Sequence, residues 1–167
     1  MKNMKMEHAT QLHSKEVDSK MYKKLALMIV LSFISMYVLM YSMVDIFANV
    51  IPNVNQFYMA GLMTMPMLII EIIVMGSMYM NKKWNIMLLV TGSLAAIIFF
   101  SCIRQQAAVD DRQFLKSMIP HHGAAILMAQ EASLHDPEIS QLAQDIIKAQ
   151  EAEIAQMKAK LNKMKKK

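Results

Sequence analysis

Three apolar runs, nearly free of charge, dominate what this chain can become. Residues 25–44 carry no charge over 20 positions, residues 58–80 carry only Glu71 over 23, and residues 86–103 carry none over 18. A helix crosses the hydrocarbon core with roughly 20 apolar residues, so each run is long enough to span a bilayer, the third only just. An all-α chain is therefore expected, with three transmembrane helices and a helical remainder from residue 104 onward. Apolar residues make up 55% of the 167 positions and charged residues 19%, which rules out a single soluble domain. A cleaved signal peptide is the competing reading of the first run. Its apolar stretch and its polar leader are both too long for one, and no small-x-small cleavage site follows.

Lysine placement orients the spans. Lys2, Lys5, Lys15, Lys20, Lys23 and Lys24 precede the first run, and Lys82 and Lys83 fill the short turn between the second and third. The loop at 45–57 has no Lys or Arg. Leader 1–24 and the second turn are thus expected in the cytoplasm, and residues 104–167 outside it. Within the second run Met59, Met63, Met67, Glu71 and Met75 recur every four residues, and Met78 returns to the same side. Met67, Glu71, Met75 and Met78 share about 80° of helical arc. An intramembrane carboxyl is a functional-site candidate, and thioethers beside it suit a soft cation such as Cu(I). Adaptable packing is the plainer role for those Met side chains. No His lies in any run, which excludes bis-histidine haem within the membrane.

Beyond the spans, the pattern predicts a helix over about 111–133, capped by Asp110 or Asp111, and a second one restarting at Asp136-Pro137-Glu138. The second helix carries Ile139, Leu142, Ala143, Ile146, Ile154, Met157, Leu161 and Met164 on one stripe, and ends in lysines that suit the negative end of its dipole. The short connection predicts an antiparallel hairpin. Two helices bury little core alone, so the stripe needs a partner. A second copy completing a four-helix bundle, a homodimer, is the simplest one, and packing back on the membrane helices is the alternative.

The first hairpin helix carries the unusual chemistry. Taking Met118 as about 0°, His121 falls near about 300°, His122 near about 40°, Ala125 near about 340° and Met128 near about 280°. Two imidazoles thus flank a face that also bears thioethers, and Pro120 breaks a local rule beside them. Across the hairpin, Gln150 and Glu153 interrupt the stripe before Met157. His121, His122, Met118, Met128 and Met157 are the candidate metal ligands, with Gln150 and Glu153 as the groups that would orient the imidazoles. Imidazole with thioether favours Cu(I) over Mg, Ca or Mn, and makes Zn less attractive.

Met118-Ile119-Pro120-His121-His122-x-x-Ala125-Ile126-x-Met128-Ala129 resembles the marker of a bacterial family labelled a domain of unknown function. Leu142-Ala143, Ile146, Gln150, Glu153-Ile154 and Met157 are similar to its second half. That family includes CopM-like periplasmic copper-binding proteins with a ferritin-like helical bundle. The resemblance implies copper binding or tolerance outside the cytoplasm, here at a bacterial inner membrane with a periplasmic C-terminal domain. Family members often place Met directly after the His pair, where this chain has Gly123 and Ala124, and a Trp after the second motif, where it has Lys158-Ala159-Lys160-Leu161. Di-iron chemistry would need repeated Glu-x-x-His, and Glu131 and His135 stand four apart without a repeat.

The leading expectation is a membrane-anchored copper-binding protein that is not an enzyme, and that sequesters Cu(I) or hands it to a copper exporter or another copper protein. A membrane scaffold without a metal role and, behind it, a metal-dependent redox enzyme are the alternatives. Met1, Met4, Met6, His8 and His13 of the leader are also ligand types. Nothing in the chain matches a nucleic-acid motif despite its pI of about 9.3. The lone Cys102 excludes an internal disulfide and leaves an intermolecular one open.

Overall fold

The computed structural model describes the backbone of residues 2–165 and the side chains of 19–164. Met1, Met4, Met6, His8 and His13 therefore lie outside the described side chains, as do Lys165, Lys166 and Lys167. Five α-helices follow one another, α1 (Lys2–Leu39), α2 (Val54–Val74), α3 (Lys82–Gln105), α4 (Asp111–Glu131) and α5 (Pro137–Lys165), with 3-10 turns at Met40–Met43 and Phe47–Asn49. No strand occurs among the described residues.

The helix limits have local causes. α1 contains neither Gly nor Pro, so nothing interrupts it before Leu39. Asn53 caps α2, its Oδ1 accepting from the Gln56 N–H at 2.9 Å. Asn81 caps α3 through the Trp84 N–H at 3.3 Å. α3 stops in a left-handed turn made without glycine: Gln106 has φ 50°, and the Ala107 N–H reaches back to the Cys102 carbonyl at 2.9 Å. Three helical segments, Ser19–Met43, Val54–Val74 and Lys82–Gln105, are long and apolar enough to cross a membrane. α2 ends at Val74, short of the run's end at Met80, so Met75 and Met78 lie in the turn that follows it. Met78 therefore leaves the expected helical stripe, whereas the Met75 N–H still donates to the Glu71 carbonyl at 2.8 Å, which keeps Met75 one helical turn beyond Glu71. α2 also passes through Pro66, whose missing N–H frees a carbonyl one turn earlier.

The chain divides into two units, Met1–Met36 with Met59–Ser101, and Tyr37–Tyr58 with Cys102–Lys167. In the first, Leu25, Leu68, Ile72 and Tyr79 form the core, bordered by Met21, Met28, Met75 and others. Large side chains such as Leu31, Ile34, Ile73, Leu94 and Ile97 stay exposed. Gly61 lets the Phe99 ring lie directly on α2, where any Cβ would collide with it. At the end of this unit the polar groups pair with each other. The Tyr79 hydroxyl donates to Glu71 Oε1 at 3.1 Å, and the Tyr22 hydroxyl donates to Asn85 Oδ1 at 2.6 Å.

The second unit joins the loop of residues 37–58 to the hairpin, a grouping that the hydropathy pattern does not reveal. Asp110 caps α4 by accepting from the Gln113 N–H at 2.7 Å. Asp136 caps α5, accepting from Glu138 and Ile139 at 2.8 and 3.1 Å, with Pro137 at the first helical position. The two helices pack along each other around Ile119, Ile126, Ile154, Met157 and Leu161, with Ile51 of the loop against the same cluster. Side-chain hydrogen bonds tie the loop to α4. Ser117 Oγ donates to Asn53 Oδ1 at 3.2 Å, and the Val54 N–H donates to Gln113 at 3.4 Å. Of the apolar stripe on α5, Ala143, Ile154, Met157 and Leu161 are buried, while Ile139, Leu142, Ile146 and Met164 stay exposed along one flank.

Candidate metal centre

α4 turns three different faces to its surroundings. Leu115, Met118, Ile119, His122 and Ile126 point toward α5. Gln113, Ser117 and Gly123 meet the loop, and a Cβ at Gly123 would strike the Asp45 carboxylate and Val44. Phe114, His121 and Met128 are exposed. Position 123, directly after the His pair, therefore has no room for a larger side chain unless the loop moves. The loop occupies the volume that a longer side chain would need.

His122 is the buried imidazole, with 7% of its surface exposed. Its Nδ1 lies 2.9 Å from the Met118 carbonyl oxygen, which can only accept, so Nδ1 carries a proton and donates. Its Nε2 stands 2.6 Å from Glu153 Oε2, a short contact that requires one proton between the two atoms. The ring is thus held at both nitrogens, one by its own helix and one by α5. Glu153 itself is 54% exposed at the side chain.

Between α4 and α5 lies a cleft of about 670 Å³ lined by Phe114, Met118, His122, Glu153, Met157 and Met164, among others. Four of the expected site residues therefore meet there: His122, Met118 and Met157, with Glu153 on the imidazole. His121 and Met128 do not line it. Gln150 is half-buried, but Gln156 and not Gln150 borders the cleft. Met164, on the apolar stripe of α5, is also a third cleft thioether, two turns along the helix from Met157. Its seven-residue spacing from Met157 was the available signal. Among the described residues no three His, Cys, Asp or Glu side chains converge, so any soft ion here would rely on thioethers.

Residues 101–161 match the family model of a domain of unknown function, DUF305. An uncharacterized protein of Acanthamoeba polyphaga mimivirus is 37% identical over 145 residues, covering 83% of this chain and 91% of that protein. The chain belongs to that protein's family and carries a DUF305 domain. All the cleft donors except Met164 fall inside the DUF305 match, whereas the mimivirus likeness runs well beyond it toward the membrane helices. No solved structure matches the chain.

Proposed function

We propose that this DUF305 protein is a membrane-anchored Cu(I)-binding protein whose hairpin holds the ion outside the cytoplasm. The observation that carries this reading is the convergence of one fixed imidazole and two buried-face thioethers, His122, Met118 and Met157, in one cleft. Thioether with imidazole is a donor set for Cu(I), and the ring reaches an ion through Nε2 because Nδ1 is committed to the Met118 carbonyl. An ion at Nε2 takes the place of the Glu153 contact, and the exposed carboxylate is free to move aside and offset the charge. Met164 offers a further soft donor in the same cleft. The cleft presents no nucleophile with an adjacent base, so binding and handover, and not turnover, is the proposed role.

Lysine placement supports the hairpin's side of the membrane. Lys20, Lys23 and Lys24 precede the first span and Lys82 and Lys83 precede the third, while 45–57 has no Lys or Arg. The test is competition titration of the full chain with Cu(I) against a chelator, beside a Met118→Leu/Met157→Leu variant. The full chain is needed because Ile51 and Asp45 belong to the hairpin's own packing. The proposal predicts at least a tenfold loss in the variant, about 1.4 kcal/mol. Equal affinity in both proteins would remove the cleft from consideration.

A second reading is favoured by the exposed flank of α5. Ile139 and Leu142 are 52% and 58% exposed, and Ile146 lies beside them. An assembly protein whose hairpin pairs with another chain, a second copy being the simplest, would use that flank. It predicts a hairpin stability that copper leaves unchanged.

A further inference from the structure

The membrane unit has a groove that is mostly apolar along its length and cationic at one end. It measures about 420 Å³ and follows α1 from Lys24 to Met36, with Met67 of α2 also lining it. Leu27 and Leu31 are more than half exposed along it, and the short side chains of Ser32 and Ser35 leave room between the larger ones. Lys24 is the single charged side chain in the lining. We propose that this groove is a binding site for one anionic phospholipid, with the phosphate on the Lys24 ammonium and one acyl chain laid along α1.

Depth, length and charge all fit that ligand. Tyr22 and Trp84 stand with ring centroids 6.2 Å apart, and Tyr and Trp settle at the headgroup level of a bilayer. Lys24 follows Tyr22 closely on α1, and its long stem lets the ammonium reach the same layer. From Lys24 to Met36 the helix rises about 18 Å, at about 1.5 Å per residue. One leaflet of a ~30 Å hydrocarbon core is about 15 Å deep, so the groove runs the length of one leaflet. Lys23 on α1, with Lys82 and Lys83 at the start of α3, adds to the positive charge of this end of the unit. Such an end prefers an anionic headgroup to a zwitterionic one. Gathered lysines also mark the cytoplasmic side of a span, the leaflet that carries the anionic lipids.

The inference uses no residue of the hairpin cleft, so a failed copper titration leaves it standing. The experiment follows lipid retention by the full chain in detergent, using native mass spectrometry with added phosphatidylglycerol or phosphatidylcholine of identical acyl chains. One phosphatidylglycerol should be retained at lipid levels where phosphatidylcholine is not. Lys24→Gln is expected to weaken phosphatidylglycerol at least fivefold, about 1 kcal/mol for one basic residue, and to leave phosphatidylcholine unchanged. Lys163→Gln, on the hairpin, should change neither. Ser32→Leu/Ser35→Leu fills the groove with side chains that a membrane span accepts and should abolish retention, with a thermal melt as the check on folding. Glycerophosphoglycerol, the same headgroup without chains, should not displace the bound lipid. Equal retention of the two lipids, undiminished retention in either groove variant, or displacement by the headgroup alone would overturn the site.

Discussion

The inward and outward faces of α4 carry the same kinds of side chain and end in different situations. Inward are Met118 and His122, and outward are His121 and Met128. Each face thus has an imidazole and a thioether. Only the inward set meets an opposing helix, which supplies Met157 to the cleft and Glu153 to the ring at 2.6 Å. Ligand types on a helix do not make a site. The inward set differs in having a second surface that fixes the ring and brings further donors to the same cleft.

The largest separation of the two faces is expected in stability. Ile126 is 2% exposed at the centre of the hairpin core. Ile126→Ala should cost about 3 kcal/mol by denaturant unfolding, in the range for buried large-to-small changes. Met128→Ala, two residues on and 55% exposed, should stay within about 0.5 kcal/mol. Similar losses for both would mean that the outward face is also packed, as a dimer would pack it.

The loop-facing side adds a third term. Gly123→Ala forces Asp45 and Val44 away from α4 and should cost about 1–3 kcal/mol, as overpacking does. Faster hydrogen exchange across 44–53 should accompany it. Asp45→Ala in the same chain should recover part of the loss, since the two sites share one contact. Asp110→Ala is expected to cost about 1 kcal/mol by removing the cap of α4. That loss should be felt by the whole helix and not by one face. At the small end, His121→Ala should move stability by less than about 0.5 kcal/mol, because its ring is exposed.

Much of this was legible before any coordinates. Asp110 and the Asp136-Pro137 pair act at short range, so the starts of α4 and α5 follow directly from residue type. Apolar runs likewise fix the three spans, because length and hydropathy suffice there. The domain marker in residues 118–129 fell inside the matched DUF305 segment. Which histidine faces inward was also encoded, although wheel angles measured from Met118 alone treat the pair evenly. Leu115, Ile126 and Ile119 fall near about 60°, 80° and 100° on the same wheel, and their direction selects His122 at about 40° over His121 at about 300°. Other features were not legible in hydropathy or period. The loop's grip on α4 rests on single contacts at Gly123, Ser117 and Gln113, which leave no periodic trace. The end of α2 at Val74 comes just before Gly76-Ser77, a stop that residue type marks and a hydropathy run does not.

The most direct test of the central claim sets the two histidines against each other. Full-length His121→Ala and His122→Ala would be titrated with Cu(I) under one competing chelator, each with its thermal melt as a control for folding. The account predicts that His122→Ala loses at least tenfold in affinity, about 1.4 kcal/mol, while His121→Ala stays within about twofold. Equal losses in the two variants, or a loss confined to His121→Ala, would contradict a copper site built in the cleft between α4 and α5.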